Sequence, residues 1–167
     1  MISFFYNISI YKNKNNKLLL MEELKVFENK TDSLDILYTF IVYDTSAETF
    51  LKEIENQLNN AKKISNPVKK HKISQRLFAL KNNIEEKYTE LENINMIILV
   101  DEEIHTFPIS LTMIETAREY GLKKIYEKVD TFFYISFIID FFTNFYFIYH
   151  IKLSKNSLTL VKLNKNK

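Results

Sequence analysis

Apolar positions along this chain switch between two spacings, and each switch marks an element. From Leu18 to Phe27 they recur at helical intervals, and the polar stretch Glu28 to Asp35 then interrupts them. The run Ile36-Leu-Tyr-Thr-Phe-Ile-Val-Tyr43 is dense in β-branched and aromatic residues, the signature of a buried strand. Next, Thr45-Ser-Ala-Glu48 has capping-box spacing, and Ala47, Phe50, Ile54, Leu58 and Ala61 follow at three- and four-residue intervals. That spacing predicts a helix with one apolar face. Asn66-Pro67 supplies an N-cap residue followed by proline at the first helical position. The stripe Ile73, Leu77, Leu80, Ile84, Tyr88 and Leu91 extends that second helix past six turns, folding back on the first as a hairpin. Asn95-Met-Ile-Ile-Leu-Val100 reads as a second buried strand. The predicted fold is therefore α/β (α+β), a small sheet packed with a long helical hairpin in the order strand, helix, helix, strand.

Beyond Asp101-Glu-Glu103 the pattern weakens. Thr106 to Ile114 reads as a strand, and Glu115 to Lys128 as helix or irregular chain. An amphipathic helix follows over Thr131 to Phe142, then two strands, Phe145 to Leu153 and Ser157 to Leu163, joined by a turn at Ser154-Lys-Asn156. A lone hairpin is marginal by itself, so this part reads as the opening of a second, partial domain. Phe132 to Ile151 has the length of a membrane span, but Asp140 near its middle, with Asn144 and His150, argues against insertion. The first residues, MISFFYNISI, lack a leading basic region and precede Lys12, Lys14 and Lys17, the reverse of a secretory signal. Met21, which opens MEELKVF, is a candidate initiator, and residues 1–20 are a candidate disordered leader. The organisation expected is a leader over 1–20, a first domain over 21–128 and a partial domain over 129–167.

Composition narrows the chemistry. The chain has 167 residues, 46% of them hydrophobic, enough for one core and too few for a multidomain enzyme. There is no Cys, which removes disulfides, thiolate metal sites and cysteine nucleophiles, and fits a cytoplasmic location. Gly121 is the only glycine, so phosphate-cradling and dinucleotide-binding loops are excluded. A net charge of +2 leaves any nucleic-acid role to local clustering.

Such a cluster exists. Lys62, Lys63, Lys69, Lys70 and Lys72, with His71, surround the bend between the two long helices, and no acid falls between Gln57 and Leu80. Phosphate contacts need this arrangement; a solvated loop is the plainer explanation. A second group, Lys152, Lys155, Lys162, Lys165 and Lys167, reads as a frayed tail. Tyr126 and Phe132 are candidate stacking platforms for unpaired bases, although most of the ten Tyr and fourteen Phe belong in a core. His71, His105 and His150 are too widely separated to share a metal, and no cofactor is expected. Glu102 and Glu103 fit a solvated strand end better than acid catalysis. No nucleophile elbow is present, and no enzyme is expected.

The order of elements from about Ile36 to Val100 resembles the N-terminal, codon-recognition domain of the class-one peptide chain release factors of eukaryotes and archaea. In that family a strand leads into two antiparallel helices whose connecting tip carries Asn-Ile-Lys-Ser, and a strand returns to the sheet. Aligned without gaps, the family's conserved alanine falls on Ala61, its motif isoleucine on Ile64 and a following valine on Val68. Its Tyr-x-Cys-x-x-x-Phe motif falls on Tyr126-Glu-Lys-Val-Asp-Thr-Phe132, with Lys128 in place of the cysteine. At the tip, Lys63, Ser65 and Asn66 replace the motif's Asn, Lys and Ser, and Ser33-Leu-Asp35 does not reproduce the Gly-Thr-Ser element. No Gly-Gly occurs, so the Gly-Gly-Gln loop that triggers peptidyl-tRNA hydrolysis is missing. The resemblance implies a divergent, truncated relative that binds the ribosome, through ribosomal RNA or mRNA at the decoding centre, without peptide release of its own. The implied RNA-binding residues are Lys62, Lys63, Ile64, Ser65, Asn66, Lys69, Lys70, Tyr126 and Phe132. A translational GTPase would be a partner only of a chain carrying the family's C-terminal portion, and no membrane partner is implied. The alternatives are a protein–protein interaction module and a decayed fragment without a task.

Overall fold

The computed structural model describes residues 19–34, 36–143, 147–154 and 157–164. The expected leader therefore lies, up to residue 18, outside the described residues, as do positions 155 and 156 of the expected turn. Among the described residues the fold is mixed α and β, with five helices and a four-stranded antiparallel sheet. Helical backbone at 19–25 (α1) is followed by β1 (Leu37–Thr45), α2 (Ala47–Ala61), α3 (Pro67–Lys87), β2 (Ile94–Val100), β3 (Ile104–Pro108), α4 (Leu111–Glu119) and β4 (Ile125–Asp130). Then come α5 (Ile135–Thr143), β5 (Phe147–Ser154) and β6 (Ser157–Asn164).

Val26–Tyr134 form one compact unit, and α1 with everything from Ile135 onward belongs to a second. The division falls a few residues later than the expected boundary at 128. The reason is physical: β4 runs to Asp130 along β1, and Thr31 forms an antiparallel bridge with Phe132. In the second unit, β5 and β6 are antiparallel, with Phe147 opposite Asn164 and Ser154 opposite Ser157. α5 ends at Thr143 before β5 begins, which divides the apolar stretch weighed as a span. Among the described residues no helix is long and apolar enough to cross a membrane.

The sheet order is β3-β2-β1-β4. Its register fixes two faces, because antiparallel partners share a side and neighbours along a strand alternate. Tyr38, Phe40 and Val42 of β1 and Met96, Ile98 and Val100 of β2 point toward α2 and α3. There they meet Phe50 and Ile54 of α2 and Leu77, Leu80 and Ile84 of α3. Phe40 and Phe50 are fully buried and meet edge to face at 5.6 Å between ring centroids. Burial of one such side chain is worth about 1.5–3 kcal/mol. The opposite face, with Leu37, Thr39 and Ile41, is buried as well. Part of its cover comes from Phe27, whose ring lies 5.8 Å from Phe107 and 6.0 Å from Phe133.

Several boundaries differ from the sequence reading. The N-cap of α2 is Ser46, whose hydroxyl accepts from Thr49 N at 3.2 Å, while the Thr45 hydroxyl donates to Tyr43 O at 2.8 Å. The capping signal was thus one residue out of phase. α3 has 21 residues and stops at Lys87, so Leu91 is not on its stripe and is exposed. The stretch Thr106–Ile114 is not one strand: β3 ends at Pro108, and Ser110 caps α4 by accepting from Met113 N. Nor is Glu115–Lys128 helix or irregular chain throughout, since α4 ends at Glu119 and β4 begins at Ile125. Gly121 makes the turn between them, at φ +61°, a backbone region that side chains with a Cβ disfavour. α5 starts at Ile135, four residues later than expected.

Candidate nucleic-acid interface

The bend between α2 and α3 is built by local hydrogen bonds. Lys63 N donates to Asn60 O at 3.0 Å and Ile64 N to Ala61 O at 3.1 Å, which closes the last turn of α2. Asn66 then opens α3: its Oδ1 accepts from Val68 N and Lys69 N, each at 3.0 Å, and Pro67 follows where no N–H is required. Lys70 Nζ donates to Lys62 O at 2.9 Å, placing a cation on the carbonyl end of α2.

These bonds leave Lys62, Lys63, Ser65, Asn66 and His71 exposed, with Lys69, Lys70 and Lys72 half-buried. Ile64 differs from its neighbours. It is half-buried and packs against the main core, so this member of the predicted set anchors the bend. The charge arrangement runs against helix preference. α3 has no acid in its first turn, yet Lys69, Lys70, His71 and Lys72 crowd its N-terminal end. The helix dipole makes that end positive, and each cation there forgoes about 0.3–1 kcal/mol relative to a favourable placement. An anion at the bend relieves that repulsion.

The bend lies at the end of the sheet where β1 begins. Arg76 on α3 is buried; its Nη1 donates to Ile36 O at 2.6 Å, and its Nη2 reaches Asp32 at 3.1 Å and Glu102 at 2.8 Å. From Pro67 to Arg76 the helix rises about 14 Å, and this length carries the basic bend. Burial pushes the Asp32 carboxyl up, but the Leu34 N–H and the Arg76 guanidinium together hold it below the ordinary carboxylate value. Nearby, Lys30 pairs with Asp101, which also accepts from Glu103 N at 2.8 Å and lies 3.2 Å from His105 Nε2. Asp32, Asp101 and Glu102 at this end of the sheet are therefore each engaged by a cation or an N–H group.

Phe132 sits at this same end, two residues past Asp130, which pairs with Leu37 at the start of β1. It is exposed, with its ring 5.1 Å from that of Tyr134. Tyr126 is not brought to the bend. It pairs with Ile41, while its neighbour Ile125 packs on the helix side, so Tyr126 belongs to the face turned away from α2 and α3. It is half-buried, and burial raises its phenol. The predicted set thus separates into a tip exposed at Lys62, Lys63, Ser65 and Asn66 and half-buried at Lys69 and Lys70, an anchoring Ile64, a Phe132 at the same end of the sheet and a remote Tyr126.

A groove of about 540 Å³ opens at the other end of the sheet, lined by residues including Glu53, Lys123 and Glu127. Burial, reinforced by the Glu53 charge, pushes the Glu127 carboxyl up to about 7 against the pull of Lys123 and Gln57. At its edge Asp44 has φ 47°; its N–H donates to Asn95 Oδ1 at 2.8 Å and its carboxylate is held by Arg118. Among the described residues no group of three or more metal-binding side chains comes together.

No protein-family profile and no curated protein matches the chain, so the site rests on its own geometry. The residue that sequence reasoning missed is Arg76. A signal was present, since Arg76 falls three residues after Ile73 and four before Leu80, on the apolar stripe of a helix in a chain whose cations are otherwise almost all Lys. A long cation on that stripe requires buried acceptors.

Proposed function

We propose that this chain is a divergent relative of the release-factor codon-recognition domain. In this reading it contacts ribosomal RNA or mRNA at the decoding centre through the bend from Lys62 to Lys72 and does not hydrolyse peptidyl-tRNA itself. The observation that carries the reading is the cluster of cations at the bend, exposed at Lys62 and Lys63 and half-buried at Lys69, Lys70 and Lys72 at the N-terminal end of α3, where helix electrostatics favour acids and none is present in the first turn. Support also comes from the succession β1, α2, α3, β2, with β1 and β2 paired antiparallel and the bend outside the core. Lys62 and Lys63 provide phosphate contacts, and the Asn66 side-chain amide retains N–H donors after its oxygen has capped α3. Phe132 lies at the same end of the sheet, its ring against Tyr134, and Tyr126 takes no part.

Co-sedimentation with ribosomes tests the proposal. The wild-type chain is expected in the ribosomal pellet at low salt and to leave it as salt rises. Joint replacement of Lys62, Lys63, Lys69 and Lys70 by Ser should abolish pelleting while the circular dichroism spectrum stays unchanged. Undiminished pelleting by that variant refutes the surface. Peptide release by the purified chain in a reconstituted termination reaction refutes the absence of chemistry.

A further inference from the structure

The outer side of the helical hairpin carries a feature that the basic bend does not explain. Phe78 on α3 is 54% exposed, in a helix whose other large apolar side chains beyond Val68 are buried. It lines a groove of about 220 Å³ between α2 and α3, together with Glu55, Leu58, Asn59, Lys62 and Ser74. Leu58 is the buried floor. Lys70, Ser74 and Phe78 follow one another at four-residue spacing, so they form one stripe along α3, rising about 12 Å from the bend to the ring. Lys62 stands at the mouth, its Nζ donating to Asn59 Oδ1 at 2.9 Å. The one acid in the lining, Glu55, is paired with Lys81 at 2.9 Å. The groove therefore begins in uncompensated positive charge and ends on an exposed aromatic face.

We infer that Phe78 is a stacking platform for an unpaired base of single-stranded RNA whose backbone runs over Lys62 and Lys70. The inference rests on the RNA-contact reading of the bend and adds to it a base-recognition element. Single-stranded nucleic acid is held by this combination, a basic track for the phosphates and an aromatic face for the bases. A partner helix would require several apolar anchors at three- and four-residue spacing, whereas Phe78 stands among Glu55, Asn59, Lys62 and Ser74. Asn59 and Ser74 provide polar atoms for the edge of the stacked base.

Fluorescence anisotropy with a labelled oligouridylate tests this on the full chain. Phe78→Ala is expected to weaken binding about five- to 150-fold, the range for loss of one stacked base, without changing the slope of affinity against salt. Phe78→Tyr should keep most of the affinity. The chain has no Trp, so Phe78→Trp introduces a single reporter whose emission should fall as the oligonucleotide saturates it. If Phe78→Ala binds as well as wild type while the four-lysine variant does not, stacking at Phe78 is overturned and the basic surface stands. Unchanged emission from Phe78→Trp at saturation overturns it in the same way, and absence of binding by the wild-type chain removes both.

Discussion

Replacing Glu127 by Gln should stabilise the protein, and by an amount that depends on pH. Glu127 lies half-buried on β4, on the helix side of the sheet, where the Glu53 carboxylate opposes its ionisation. Its carboxyl moves from an ordinary value of 4.5 to about 7, which at 1.36 kcal/mol per unit corresponds to at most about 3–4 kcal/mol. Solvent screening of a group this exposed reduces the figure to about 1–2 kcal/mol. Because the folded value is raised, the folded chain binds more protons than the unfolded chain between about 4.5 and 7, and stability falls as pH rises through that window. Gln mimics the protonated acid and avoids the loss. Urea titrations should find wild type and Glu127→Gln nearly equal at about pH 4, diverging above it and separated by the full difference at about pH 8. Glu53→Gln should recover part of the same gain by removing the repulsion. Parallel stability curves for wild type and Glu127→Gln, with no divergence between those limits, would refute the assignment.

Two other substitutions probe the fold around the site. Arg76→Met keeps the apolar stem but removes the guanidinium from Asp32, which retains only the Leu34 N–H, and leaves the Ile36 carbonyl without the Arg76 donor, and should cost about 2–4 kcal/mol near neutral pH. Arg76 helps hold the folded Asp32 value below 3.8, so the deficit measured in urea should shrink as acid protonates Asp32; a deficit constant in pH would contradict this. Asn83 has a buried side-chain oxygen without a hydrogen-bond partner among the described residues, so Asn83→Ala should raise stability by about 1 kcal/mol through relief of desolvation and better helix propensity. A lower melting temperature for Asn83→Ala would count against it.

The elements readable from the residues alone were those whose burial is one-sided or complete. β1 and β2 are buried along nearly their whole length and appear as continuous apolar runs, while α2 and α3 bury one stripe each. β4 could not be found this way. It is an edge strand, IYEKVD, in which Ile125, Glu127 and Val129 share one face and Tyr126, Lys128 and Asp130 the other, so polarity does not alternate. β3 and α4 were merged because apolar residues continue across Pro108 and Ser110, although proline at a strand end and serine at a helix cap mark the break. The cationic bend was legible from the lysines and the Asn66-Pro67 start. Its separation from Tyr126 was not, since that depends on which face of the sheet a single residue of β4 occupies. Ile64 enters the contact set through the motif isoleucine that the resemblance places on it, and a motif position does not report a side chain's direction; here it packs on the core.

The strand order also dictates a sequence of events at the ribosome exit. β1 gains β2 on one flank once residue 100 has emerged, beyond α2 and α3, and β2 gains β3 once residue 108 has, whereas the other flank of β1 waits for residues 125–130. In that interval the run LYTFIVYDT presents unpaired backbone groups on an apolar, β-branched ribbon, the kind of surface that seeds intermolecular aggregation. Late arrival of β4 makes its short, charged hexapeptide a gatekeeper: it seals the ribbon and offers neighbouring molecules a lysine-bearing margin in its place.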